Sequence, residues 1–129
     1  MTFSEALKEV TEKAEGVLYA VILGTDGIPV GEGAIASGTS REEFPGSGIM
    51  DPETIGAETS QIIREAGRAA RNLQIGDAVE ITILAQTCVI IIRRINPEYC
   101  LALVMRPDAS LGKGRFYLRQ AAGRIESDF

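Results

Sequence analysis

A chain of 129 residues, 45% of them hydrophobic, with a net charge of −5 and no histidine, fits one domain. Such a domain buries about two-thirds of its unfolded surface without staples, and its acidity argues against a nucleic-acid backbone as ligand. No apolar run nears the ~20 residues of a membrane span, and residues 4–15 are too charged for a secretion signal, so a cytoplasmic protein without membrane insertion is expected.

Along the chain, Phe3, Leu7, Val10 and Ala14 recur at helical spacing, with Glu5, Lys8, Glu9, Glu12 and Lys13 facing away. Ser4 is the expected N-cap and Gly16 the stop. Residues 17–23 (VLYAVIL) read as a strand covered on both faces, and Asp26-Gly27 suits the tight turn after it. Residues 28–36 return as a weaker strand interrupted by Pro29, Gly31 and Gly33. Proline removes a ladder donor, so this strand belongs at a sheet edge. Residues 37–50 (SGTSREEFPGSGIM), rich in Gly, Ser and charge, read as a long surface loop with Phe44 or Ile49-Met50 docking locally.

Asp51 before Pro52 starts the longest helix, which runs to Leu73 and closes near Gly76. At helical spacing, Ile55, Thr59, Ile62, Ala66, Ala69, Ala70 and Leu73 share the face expected to pack on the sheet. Gly56, Ser60 and Gly67 fall in a narrow stripe expected on the outer face, where a second backbone can come close. Mid-helix Gly67 costs roughly 1 kcal/mol relative to alanine, which asks for a packing reason. Beside the stripe, Arg64, Arg68 and Arg71 form a basic row. It is either a solvated face with intrahelical pairs such as Glu65 to Arg68, or a contact surface.

Residues 79–85, 88–95 and 99–105 are three apolar runs separated by Gln86-Thr87 and Asn96-Pro97-Glu98, the pattern of an antiparallel meander buried above and below. The second turn pairs Cys100 with about Arg94. Cys88 then lies roughly 20 Å away along the strand, beyond disulfide reach, which implies two buried reduced thiols. Asp108 is the expected N-cap of a last helix, with Leu111, Arg115, Leu118, Ala122 and Ile125 at helical spacing. Gly112-Lys113-Gly114-Arg115 lacks the spacing of a nucleotide loop, so its glycines are read as easing the helix start against the sheet.

Catalytic chemistry is hard to find. Without histidine the commonest general base is missing, and two separated cysteines cannot make a zinc site of the usual kinds. No catalytic, cofactor-binding or metal-ligating residue is assigned, and an enzyme in its own right is not expected.

The order helix, hairpin, long helix, meander, helix resembles the roadblock (dynein light chain) family, within it the bacterial and archaeal MglB-like regulators of Ras-like GTPases. The resemblance rests on the strand and turn of residues 17–27, on residues 66–73, on Gly76 and Tyr99, and on residues 111–119 (LGKGRFYLR). The departure is the extra chain of residues 37–50. The resemblance implies a single domain over residues 1–129, an α/β sandwich of the profilin-like α+β type. One five-stranded antiparallel sheet of order 2-1-5-4-3 would carry the long helix on one face and the terminal helices on the other. It further implies a homodimer through the long helix and the edge strand, acting as a platform for a small Ras-like GTPase. The interface residues expected on this basis are Gly56, Ser60, Arg64, Gly67, Arg68, Arg71, Val79, Ile81 and Ile83. A purely structural adaptor of the same fold is the alternative, since fold does not fix function.

Overall fold

The computed structural model describes residues 2–40 and 51–128. Its elements are α1 (Phe3–Lys13), β1 (Val17–Gly24), β2 (Ala34–Ile35), α2 (Pro52–Asn72), β3 (Glu80–Leu84), β4 (Val89–Arg94), β5 (Tyr99–Met105) and α3 (Leu111–Ser127). The five strands form one antiparallel sheet in the order β2-β1-β5-β4-β3. Two apolar layers flank it. One gathers Leu7 and Val10 of α1, Ile22, Ile91, Leu101 and Leu103 of the sheet, and Leu118 and Ile125 of α3. The other joins Leu18, Val21, Leu23, Ile92, Cys100 and Val104 to Ile55 of α2.

Strand chemistry accounts for this arrangement. Every residue of β1 is buried, and β5 is buried from Cys100 onward, as expected of central strands whose alternating side chains meet helices on both sides. The register slips between Val17 and Tyr19, a bulge that leaves neighbouring Leu18 and Tyr19 in the same layer. β2 is shorter than residues 28–36 suggested. Beyond Ala34–Ile35 only the bridge from Leu23 to Pro29 remains. Glycines at 31 and 33 weaken the ladder and the edge has no second neighbour. The Asp26-Gly27 turn forms as expected, with Gly27 at φ +93°.

Helix starts and faces needed correction. The N-cap of α1 is Thr2, not Ser4. Its hydroxyl accepts from the Glu5 N–H while the Glu5 carboxylate accepts from the Thr2 N–H, a reciprocal cap that Ser4 cannot make with Glu5 adjacent to it. The N-cap of α3 is Ser110, accepting from Lys113, rather than Asp108. Asp51 caps α2 as expected. That helix stops at Asn72, before Gly76, because Gln74 takes φ +58° and turns the chain out. The docking expected of Phe44 and Ile49-Met50 lies outside the described residues.

The largest difference concerns the roll of α2 about its axis. The stripe of Gly56, Ser60 and Gly67, expected outside, is buried. Ile55, Thr59 and Ala70 stay inward as expected, Ile62 and Ala66 are half-buried, and Ala69 and Leu73 are exposed. The close backbone approach that the stripe permits is real, but it is made by the same chain. A Cβ on Gly56 would stand 2.2 Å from the Gly27 carbonyl oxygen.

Cys100 pairs with Arg94, the register expected from the Asn96-Pro97-Glu98 turn. Both cysteines are free and buried. Burial pushes the Cys88 thiol upward and that of Cys100 to about 12, so neither offers a thiolate at neutral pH. Thiol labelling of the native protein is therefore expected to proceed only as fast as the fold opens. Rapid labelling of either cysteine by a neutral-pH reagent would contradict the packing.

Candidate functional site

The C-terminal half of α2 carries two kinds of surface side by side. The first is a basic cleft of about 250 Å³ between α2, the turn after β1 and the turn before β5. Thr25 ties the two turns together, its N–H donating to Glu98 O at 2.8 Å and its hydroxyl to Pro97 O at 3.1 Å. Arg64 and Arg71 of α2 and Arg94 of β4 line the cleft, with Asp77 as its one acidic member. Asp77 stands 3.9 Å from Arg94. No carboxylate of the described residues pairs with Arg64 or Arg71, so three guanidiniums face one carboxylate.

Gly67 is buried and lines the cleft. A Cβ there would lie 3.1 Å from a guanidinium nitrogen of Arg71, the end of an exposed side chain that can shift aside. Arg68 behaves differently from its neighbours. It donates to Glu65 from two nitrogens, at 3.0 and 3.2 Å, the intrahelical pair that was one reading of the row. With both side chains more than half exposed, such a pair adds little stability.

The second surface is apolar. Leu73, Ile75 and Val79 are 69%, 72% and 56% exposed, well beyond what scattered surface residues need. Val79 leads into β3, the open edge of the sheet, where Ile81 and Ile83 are half-buried on the same face as α2. Ile81 pairs with Ile92 and Ile83 with Ile90. α2 packs chiefly on β1, which leaves the β4–β3 side of this face thinly covered. An apolar edge strand with unpaired backbone groups is a template for association.

Of the residues expected at an interface, the structure therefore brings Arg64, Arg71, Val79, Ile81 and Ile83 to one accessible region, with Arg68 nearby. Gly56, Ser60 and Gly67 are buried rather than outward, but Ser60 and Gly67 still line the cleft beside Arg64 and Arg71. Sequence reasoning missed Arg94, Leu73 and Ile75. Leu73 was assigned inward by its spacing, and Arg94 joins the cleft because it follows Ile90 and Ile92 on the face of β4 that looks toward α2. Among the described residues no group of three or more metal-ligating side chains comes together, and no helix is long and apolar enough to cross a membrane.

Comparisons with known proteins bear on this arrangement. No family model matches the chain, and no curated protein matches it in sequence. Solved structures do. The gliding protein MglB of Thermus thermophilus superposes with a TM-score of 0.82 at 18% identity, covering 98% of this chain and 90% of that one. A Roadblock/LC7 domain from Streptomyces avermitilis gives 0.79 at 12% identity, over 97% and 95%. MglC from Myxococcus xanthus gives 0.67 at 25% identity over the full length of both chains. The fold is thus roadblock/MglB-like, with the expected strand order.

Proposed function

We propose that this chain is a non-enzymatic homodimeric platform that binds a small Ras-like GTPase and regulates its nucleotide cycle. The observation that carries the reading is the juxtaposition on one side of the fold. An open apolar edge at Val79, Ile81 and Ile83, with exposed Leu73 and Ile75 beside it, suits a second copy of the chain. Arg64 and Arg71 next to it, which meet no carboxylate among the described residues, suit an acidic partner surface, where the planar guanidinium fork pairs well with carboxylates. The fold shared with MglB structures supports the same reading.

Regulation on this reading works by holding the partner's own switch segments. An arginine that stabilises transition-state charge must reach into the active site, where it raises the rate by ~10³–10⁵. Arg64 and Arg71 project instead from a regular helix whose other face is committed to the sheet.

The test has two stages. Sedimentation at micromolar concentration is expected to show two chains per particle, and Ile83→Lys to give one. A persistent monomer of the unaltered chain removes the platform reading. Single-turnover hydrolysis by a small Ras-like GTPase is then followed with and without the dimer. Arg64→Ala or Arg71→Ala should weaken binding by about 1–3 kcal/mol with turnover at saturation unchanged. A drop of about a hundredfold at saturation would identify an inserted arginine instead. Binding without any effect on turnover would leave the structural adaptor, the alternative reading.

A further inference from the structure

On the opposite side of the sheet, three arginines converge on one carboxylate. Glu80 of β3 is only 8% exposed in its side chain. Arg115 of α3 donates to one of its oxygens from two nitrogens, at 2.6 and 2.8 Å. Arg93 of β4 and Arg119 of α3 approach the other oxygen, at 3.4 and 3.5 Å. A guanidinium carries five N–H donors and a carboxylate two oxygens. Glu80 therefore orients the three arginines without saturating them, and the cluster keeps a surplus of two positive charges on a chain whose net charge is −5.

The surface around this cluster is shaped for contact. Gly112, Arg115, Phe116, Arg119 and Gln120 line one open groove along α3. Phe116 is 60% exposed, the only large apolar side chain of α3 so placed. Nothing lies within 4 Å of where a Gly112 Cβ would stand, so the groove floor is open there. An aromatic flanked by arginines on an ordered helix is the composition of an interface hot spot.

We propose that the outer face of α3, with Arg93 of β4 beside it, forms a second docking surface, distinct from the α2 cleft and from the β3 edge, that takes a short acidic segment of a partner protein. Its carboxylates pair with Arg93, Arg115 and Arg119, and an apolar side chain of the segment covers Phe116. Charge complementarity selects this occupant. A broad anionic surface such as a lipid bilayer would meet the acidic remainder of the chain as well as the patch. A short segment meets only the patch, because exposed charges beyond a screening length of about 10 Å matter little.

The probe is a fluorescent peptide of about twelve residues, built from Glu, Asp and Ser around one central Phe. Anisotropy is read against the full chain, and amide chemical shifts locate the contact. Saturable, salt-sensitive binding is expected, with shifts centred on residues 112–120. Phe116→Ser and Arg119→Gln should each weaken it about tenfold, as should a peptide lacking the Phe, while Arg71→Ala should leave it unchanged. These two variants alter exposed side chains and leave the short Arg115–Glu80 contact in place. Four results would overturn the proposal. They are no saturable binding, shifts at the Arg64–Arg71 cleft, self-association abolished by Phe116→Ser, or tight binding to vesicles of ~30% phosphatidylserine that the peptide does not compete.

Discussion

Replacing Gly56 with valine is expected to destabilise the fold by about 3 kcal/mol, at the upper end of overpacking effects. The cause is the atom that the new side chain meets. A Cβ at residue 56 falls 2.2 Å from the Gly27 carbonyl oxygen and 3.1 Å from its carbon, which are backbone atoms and cannot swing aside. Gly27 itself sits in the turn after β1, held by its N–H donating to Gly24 O at 2.9 Å and by Gly24 N–H donating to Ile28 O at 2.7 Å, so moving its carbonyl breaks the turn. Relief requires α2 to lift from β1, where Ile55 is buried at the helix start. Gly123 of α3 provides the contrast, since nothing lies within 4 Å of a Cβ there. Gly123→Ala should stabilise by up to about 1 kcal/mol through helix propensity alone. Urea unfolding of both variants checks the pair. A Gly56→Val protein as stable as the parent would mean that α2 is not seated on the turn.

Glu80→Gln is expected to cost about 2 kcal/mol at neutral pH, the range of hydrogen bonds to charged groups, reduced because the arginines are partly hydrated. Burial pushes the Glu80 carboxyl upward, but Arg115 and then Arg119 outweigh it and hold the group below its ordinary value of 4.5. The sign of the pH dependence follows. A carboxylate with a depressed folded-state pKa contributes fully above its unfolded value. That contribution disappears as pH falls through the lower, folded value. The stability gap between parent and Glu80→Gln should therefore be flat above pH ~5 and close on acidification. A gap that persists unchanged into strong acid would show that the cost comes from packing and not from charge. Because Glu80 joins β3 to α3 and β4, the loss should be felt first at the open sheet edge, as faster amide exchange along β3.

The candidate site was partly readable in the sequence. Arg64, Arg68 and Arg71 stood out as a basic row on an acidic chain, and Val79, Ile81 and Ile83 as an apolar edge. Spacing alone could not tell Arg68, neutralised by Glu65, from Arg64 and Arg71, which meet no carboxylate among the described residues. It could not bring Arg94 to the same cleft, because that contact spans the β4–β5 turn and α2. The arginine cluster on Glu80 was equally hidden. Its members come from three elements, and helical spacing places Arg115 with Leu118 and Ile125 without showing which carboxylate it meets.

The sequence by itself determined the four longer strands, the reduced thiols and the pairing of Cys100 with Arg94 in the meander. Runs such as Val89 to Ile92 carry apolar side chains on both faces and are too short for helices, so they must lie inside a two-layered sheet. The Asn96-Pro97-Glu98 turn then sets Cys100 against Arg94 by chain length alone. Only the tertiary structure decided which way α2 faces. Alanine, glycine, serine and threonine dominate that helix, and small residues weigh almost nothing in an apolar period. Its roll is set instead by where a bare backbone can touch another, Gly56 on Gly27. That contact joins residues far apart in the chain, and no local pattern encodes it.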